Sequence, residues 1–186
     1  MSDVWTRLLL DQLDFYLDAH LHPRLAGLSD EEYFWEPVAG CWSTRRRAGR
    51  WIIDSARPGR EPDPPPVTTI AWRLAHIAVT NLGARANAFF GDDSVPEDVV
   101  MFDDRYRPPV PATATEAVAL LEEVYAQWRR GVASLDDADL LRPLGPRGAY
   151  FSAEPMAGLV LHVHRETIHH GGEIGVLRDL YRARQA

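Results

Sequence analysis

The chain has 186 residues and no lysine, because all 20 of its basic residues are arginine. The missing lysine amine excludes Schiff-base and pyridoxal-phosphate enzymes, and it also excludes a P-loop, which needs its Gly-Lys-Ser/Thr sequence. The 27 acidic residues give a net charge of −7, so we expect neither nucleic acid nor an acidic membrane surface as a partner.

The remaining composition is typical of a globular domain, with 46% hydrophobic and 25% charged residues, and we expect residues 1–186 to form one domain. No apolar run is long enough to span a bilayer, and the N-terminus lacks a signal-peptide core. Cys41 is the only cysteine, which excludes an intrachain disulfide and agrees with a reducing compartment. We therefore expect a cytoplasmic protein.

The first predicted helix covers residues 4–20. Its apolar residues recur at helical spacing, at Trp5, Leu8, Leu9, Leu13, Tyr16 and Leu17. His20 and His22 come at its C-terminal end, where we predict them to be polar capping groups. Ser29, followed by three acidic residues, predicts a short helix that Pro37 ends.

Residues 38–66 are predicted to form a long loop, because glycine and proline recur through them without strong periodicity. Such loops are usually functional or mobile, and we expect this one to cover the substrate. A short hairpin around residues 51–53 is compatible with the sequence. Trp42 and Trp51 are the tryptophans that we expect to line a pocket. Cys41 has no neighbouring base, so we predict a buried packing role for it.

Two further helices follow this loop. Thr68 or Thr69 can cap the second helix, which is predicted to run to about Phe90. Thr113 or Thr115 can cap the third helix, whose apolar residues recur three and four positions apart.

A weak internal repeat and a fourth helix complete the chain. Residues 135–139, with Pro143 after them, loosely repeat residues 28–37 and predict a second short helix. Pro155 suits a first helical position and begins a helix predicted to reach about Arg182. The order of elements predicts an all-α protein, a four-helix bundle with long loops between its helices.

The fourth helix carries the most informative pattern. Its predicted core-facing stripe consists of Leu159, Val163, Glu166, His170, Ile174 or Leu177, and Tyr181. Glu166 and His170 interrupt this stripe, and four residues of separation place their Cβ atoms about 5–6 Å apart. Both side chains can therefore reach one metal ion, although a simple hydrogen-bonded pair has the same spacing.

His76 lies in the middle of the second helix, in a segment almost free of charge. A buried imidazole needs a polar partner, and a buried carboxylate needs one more strongly. One divalent ion bound by His76, Glu166 and His170 would satisfy both groups. These three residues are the predicted metal ligands.

Two segments of the chain, TIAWRLAHI at residues 69–77 and LHVHRETIHHGGEI at residues 161–174, resemble the DinB-like superfamily. The resemblance implies a four-helix bundle that binds a divalent metal through one His of helix two and two residues of the last helix. The matching positions are His76, Glu166 and His170. Many members have His in place of Glu166, and the mycothiol-dependent maleylpyruvate isomerases are similar in having Glu.

Other polar residues stand close to these positions in sequence. His162 is predicted to be a hydrogen-bond partner of the ligands, with a role as a replacement ligand as the alternative. His164 and His169 are predicted to point away from the stripe, at the surface or at an interface. Arg73 and Arg165 each adjoin a predicted ligand, and we expect them to be solvated or ion-paired, with contact to an anionic substrate as the alternative.

Two imidazoles and one carboxylate leave open coordination positions, which favours a Lewis-acid centre over a structural one. Zinc is the commonest ion for such a set, and nickel, iron or manganese are alternatives. The resemblance, together with the lack of a suitable protein nucleophile, predicts an S-transferase or isomerase that uses a small thiol such as mycothiol. The metal would activate this thiol for attack on an electrophile, and the catalytic group would then be metal-bound water or thiolate.

Two other functions stay open from the sequence. The first is a metal-dependent hydrolase in which Glu173 serves as a base. The second is a metal-binding or interaction protein without catalysis. The resemblance also implies that the chain can form a homodimer, because members of the superfamily often dimerise.

Overall fold

Helices dominate the computed structural model, which describes residues 4–56, 62–92, 95–96 and 98–184. In chain order the regular elements of the first half are α1 (Val4–Tyr16), a π-helical stretch (Leu17–Leu21), α2 (His22–Leu25), α3 (Asp30–Tyr33), β1 (Thr44–Arg47) and β2 (Arg50–Ile53). Those of the second half are α4 (Ile70–Ala75), a second π-helical stretch (His76–Gly83), α5 (Ala84–Phe90), α6 (Ala114–Ala133), α7 (Asp137–Leu141) and α8 (Met156–Ala183), with short 3-10 turns at Asp104–Tyr106 and Pro146–Phe151.

Four long helical segments build the described core. The first runs from α1 through the π stretch to α2, the second from α4 through its π stretch to α5, and α6 and α8 are the third and fourth. The third and fourth segments each contact both the first and the second. The apolar faces of all four share one core. The prediction of an all-α protein is thereby confirmed.

Side-chain caps decide where three of the helices begin. Ser29 accepts a hydrogen bond from the backbone N–H of Glu32, Thr69 from that of Trp72, and Thr113 from that of Glu116, each at 3.2 Å. Thr69 and Thr113 are therefore the caps of helices two and three, in preference to their neighbours. An Asp136 capping box starts α7 in the same way, so both predicted short helices are present.

The first helical segment is longer than the sequence predicts. Helical backbone continues through the π stretch to Leu25, so His20 lies inside the segment and the prediction that it caps the end is wrong, whereas His22 lies in the last turn, near the C-terminal end as predicted. His22 Nε2 lies 2.9 Å from a carboxylate oxygen of Glu122 on α6. His20 packs instead on the ring of Phe15.

A β-hairpin occupies part of the predicted long loop, and residues 57–61 of that loop lie outside the described residues. Strands β1 and β2 pair antiparallel, with Thr44 opposite Ile53. Ala48 and Gly49 join them with positive φ angles of 48° and 81°, the backbone of a tight hairpin turn. The carboxylate of Asp54 then closes the base of the hairpin by accepting from the backbone N–H of Ser43.

The prediction that His164 faces the surface or an interface is wrong. His164 is fully buried, and its Nε2 accepts a hydrogen bond from the indole N–H of Trp128 on α6, at 3.1 Å. Because other helices pack around α8, its buried arc is wider than one stripe and takes in this residue beside Val163. Glu166 and His170 consequently lie at the edge of that arc, where their side chains are 26% and 14% exposed.

One buried ion pair joins α3 to α8. The guanidinium of Arg178 donates to both carboxylate oxygens of Glu32, from Nε at 2.7 Å and from Nη2 at 2.8 Å. Arg178 also donates to the backbone carbonyls of Arg24 and Ala26. These contacts attach the short α3 and the end of α2 to the last helix.

Candidate metal centre

Three predicted ligands meet where the second helical segment crosses α8. Nε2 of His76, at the start of the π stretch, lies 3.7 Å from Oε2 of Glu166. Nε2 of His170 lies 3.6 Å from the same oxygen. One ligand atom from each of the three lies within 4.8 Å of the others. Ligands of a tetrahedral ion, with bonds of about 2.0–2.1 Å, are about 3.4 Å apart, so the set is close to that size.

A single hydroxyl determines which nitrogen of His76 carries the proton. Thr80 Oγ1 donates its hydrogen to the backbone carbonyl of His76 at 2.8 Å. Its contact with Nδ1 of the same imidazole, at 3.2 Å, is therefore one in which Nδ1–H donates and the hydroxyl accepts. The lone pair of His76 is left on Nε2, which faces Glu166.

A carboxylate does the same for His170. Nδ1 of His170 lies 2.7 Å from Oε2 of Glu173, and an ionised carboxylate only accepts. Nδ1 thus carries the proton, and Nε2 presents its lone pair to Glu166. The guanidinium of Arg73 contacts the same Glu173 oxygen, so the carboxylate is itself held in place. Such an arrangement is common behind metal-bound histidines.

Burial keeps both imidazoles neutral at pH 7. It lowers the pKa of His76, against the opposing negative charge of Glu166. Burial, and next the proximity of His76, lower the pKa of His170 to about 4, while Glu166 opposes this change. Neutral imidazole is the form that binds metal ions. The three side chains together therefore present two neutral nitrogen donors and one negative oxygen.

An indole ring forms one wall of the candidate centre. Trp72 stacks on His76 with its ring plane tilted by 4° and the ring centres 5.0 Å apart. Its N–H donates to the backbone carbonyl of Asp54 at 2.8 Å, which ties the base of the hairpin to the centre. Of the tryptophans predicted to line a pocket, Trp42 packs on Trp72 and Trp51 stacks on Phe34 instead.

The family model of the DinB superfamily matches the chain over residues 17–174. The chain belongs to the DinB superfamily. Both segments that carry the resemblance, residues 69–77 and 161–174, lie within the match. A comparison with curated proteins and another with solved structures found no match.

A second group of possible ligands in this DinB-superfamily chain consists of His169, His170 and Glu173. It is less suited to a cation, because the positive guanidinium of Arg73 already contacts Glu173. The hydrogen bond from His170 to Glu173 also uses the Nδ1 proton that metal binding would have to remove. His169 is exposed, as predicted, with 63% of its side chain open to solvent.

The structure also shows the contacts of three other residues about which the sequence made predictions. His162 bonds to Nη2 of Arg165 at 2.9 Å, and its role as a partner of the ligands stays a prediction. Arg73 is ion-paired, as expected. Cys41 is buried, also as expected, and its thiol donates to the carbonyl of Val38 at 3.0 Å.

Three contributors were missed or misjudged from the sequence alone. Trp72 and Thr80 were not singled out, and Glu173 was considered only as a hydrolytic base. Trp72 precedes His76 by four residues, Thr80 follows it by four, and Glu173 follows His170 by three. Side chains at these spacings share a helix face, so the signal that would identify them is spacing from a predicted ligand.

Proposed function

We propose that this DinB-superfamily protein binds one divalent metal ion through Nε2 of His76, the carboxylate of Glu166 and Nε2 of His170. We further propose that it is an S-transferase or isomerase that uses the ion to activate a small thiol of the mycothiol type. The observation that supports the metal site most directly is the position of the imidazole protons. Each imidazole donates its Nδ1–H to a neighbouring side chain, and its unprotonated Nε2 faces the carboxylate of Glu166.

Two properties of the chain support thiol chemistry at this place. A divalent ion held by three protein ligands supplies open coordination positions and favours a thiolate over a thiol. The chain's own thiol cannot serve as the nucleophile, because Cys41 is buried and hydrogen-bonded to a backbone carbonyl. The attacking sulfur must then come from a cosubstrate, and the family membership is consistent with this.

The chain's own residues hold and shield the centre. Glu173 and Arg73 keep the His170 ring in one orientation, and Thr80 does so for His76. The flat face of Trp72 covers His76 and keeps water from that side. These contacts preorganise the donor atoms, so little reorganisation is needed when an ion binds.

Metal analysis tests the site directly. We expect wild-type protein to retain about one equivalent of zinc, nickel, iron or manganese after dialysis, and His76→Ala and His170→Ala to lose it. His169→Ala is the matched control, since it removes an exposed imidazole beside His170 that lies outside the set. Unchanged metal content in His76→Ala would show that the ligand assignment is wrong.

Thiol transfer is tested with mycothiol and monochlorobimane. Metal-loaded protein should form the fluorescent thiol adduct faster than chelator-treated protein does, while a known thiol transferase works in parallel. Adduct formation no faster than background would contradict the thiol-dependent function and leave the metal site standing.

The hydrolase alternative has less support in this structure. Its proposed base, Glu173, already accepts from His170 and contacts Arg73, so its carboxylate is not free to take a proton from water. Ester or amide hydrolysis that needs no thiol and stops on chelation would favour that alternative. Homodimer formation and a cytoplasmic location stay predictions. Within the described ranges, no helix is both long and apolar enough to cross a membrane.

A further inference from the structure

A cavity of about 280 Å³ opens one turn of α8 before the candidate metal centre. His162 lines it, and Glu166 follows His162 by four residues, or about 6 Å along the helix axis. The cavity therefore lies on the same side of α8 as the proposed ligands. A molecule bound in it would be close to a thiol held at the centre.

Arg85 is the unusual residue of this cavity. Its side chain lines the wall and is only 8% exposed, yet no carboxylate of the described chain pairs with it. One of its nitrogens donates to the carbonyl of Met101 at 2.8 Å, and Nε has no hydrogen-bond partner. A buried guanidinium without a counter-ion is costly, and an anion in the cavity would remove that cost.

The protonation of Arg85 does not change this conclusion. Burial, and next the positive charge of Arg107, lower its pKa to about 10, so the guanidinium is still charged at pH 7. Among the described residues its partner besides Met101 is the ring of Phe102, with the guanidinium carbon 4.8 Å from the ring centre.

The other residues of the cavity wall indicate that the uncharged part of the ligand is apolar. Of the residues that the structure describes, five with apolar side chains line it: Met101, Phe102, Leu144, Phe151 and Leu159. At the rim, exposed Glu154 and Arg165 carry opposite charges. Burial lowers the pKa of His162, which is therefore neutral at pH 7. Among the described lining residues, the charges of Glu154 and Arg165 cancel and Arg85 leaves one net positive charge.

We propose that this cavity binds a small monoanion, a carboxylate on an apolar or aromatic body, with its charge at Arg85 and its body against the five apolar side chains. This proposal assigns the electrophilic substrate of the proposed function to a chemical class. Identifying the ligand as that substrate rests on the proposed function. Binding itself needs neither metal nor thiol. It can therefore be tested separately from the chemistry.

The test titrates metal-free, thiol-free protein with benzoate and follows binding by calorimetry. Benzamide has the same shape without the charge, and acetate has the charge without the ring. We expect each to bind about 10- to 100-fold more weakly than benzoate, because a charge-assisted hydrogen bond or the apolar contact is lost. Benzamide or acetate binding as tightly as benzoate would overturn the proposal.

Two variants locate the binding. Arg85→Met keeps most of the side-chain volume and should weaken benzoate binding about 10- to 100-fold. Arg147→Met is the matched control. Arg147 also donates to a backbone carbonyl, lies over an aromatic ring and has an unpartnered Nε, but it does not line the cavity. Benzoate affinity equal to wild type in Arg85→Met would overturn the proposal.

A third variant keeps the test decisive if Arg85→Met does not fold. Gly158 lines the cavity from α8, and an added Cβ there would meet only Pro155, at 3.9 Å. Gly158→Leu should therefore fold, fill the cavity and abolish benzoate binding while Arg85 is intact. Unchanged benzoate binding in this variant would show that the anion binds elsewhere. Wild-type protein that binds benzoate but neither retains metal nor forms the thiol adduct would contradict the proposed function and leave this cavity assignment standing.

Discussion

Glu173 accepts a hydrogen bond from Nδ1 of His170 across 2.7 Å, and the carboxylate oxygen that accepts it also contacts the guanidinium of Arg73. Because Arg73 is on α4 and Glu173 is on α8, this contact joins the two helices behind the candidate metal centre. It also sets the tautomer that leaves Nε2 of His170 available to an ion.

Removing this carboxylate should weaken metal binding without abolishing it. We expect Glu173→Ala to lower zinc affinity about 10- to 100-fold, because the His170 ring loses the acceptor that orients it. Glu173→Gln keeps an acceptor and should lose less. Competition with a chromophoric chelator measures both. Asp179→Ala is the control, because Asp179 is also on α8 but is an exposed partner of Arg24, and this variant should have wild-type zinc affinity. Wild-type zinc affinity in Glu173→Ala would contradict the prediction.

Thr80 should matter for its hydroxyl alone. Thr80→Val has nearly the same shape and leaves Nδ1–H of His76 without its acceptor. We expect about tenfold weaker zinc binding, since the favoured tautomer is no longer selected. Thr80→Ser restores the hydroxyl and should bind as wild type does. Equal chelator-competition curves for the Val and Ser variants would disprove this role.

The buried pair of Glu32 and Arg178 should dominate the stability of the α3 attachment. Glu32→Ala leaves the guanidinium, only 2% exposed, without its counter-charge. The expected cost is about 3–5 kcal/mol in the free energy of unfolding by urea. Asp11→Ala breaks the exposed pair with Arg7 and should cost no more than about 1 kcal/mol. Similar losses in the two variants would contradict this assignment.

His164 should make the fold less stable in mild acid. Burial lowers the pKa of His164 from 6.5 to about 4, so between these values the unfolded chain binds the extra proton and the folded one does not. Its contribution is complete above pH 6.5 and is lost as the pH falls toward 4. Between pH 7.5 and pH 5 the loss is about 2 kcal/mol.

The measurement is urea unfolding of chelated protein at those two pH values. His164→Gln retains an acceptor for the indole N–H of Trp128 and does not titrate. Its decrease in stability should be about 2 kcal/mol smaller than that of the wild type. An equal decrease in both proteins would exclude His164 as the source.

The helices were predictable because local rules govern them. Apolar periodicity located the four long segments, and side-chain caps such as Thr69 and Thr113 began two of them where one of two threonines was expected. The hairpin was only partly predictable. Its closure depends on Asp54, which bonds to Ser43 eleven residues away, and no local pattern marks that pair.

The candidate site, like the fold, was only partly predictable from the sequence. Spacing on one helix was enough to pair Glu166 with His170, because four residues return to the same face. The sequence alone also established that any nucleophile or metal chemistry proceeds without lysine and with a single cysteine. The choice of His76 as the third ligand needed the family resemblance as well as the demand of a buried imidazole for a partner.

Tertiary packing decided what the sequence left open. It buried His164 against Trp128, because neighbouring helices widened the buried arc of α8 beyond one stripe. It brought Arg73 to Glu173, 100 residues later in the chain, and left Arg85 in a cavity wall, paired with no carboxylate of the described residues. Which charges meet across helices depends on how those helices rotate about their axes when the core closes, and periodicity along a single helix carries no information about that rotation.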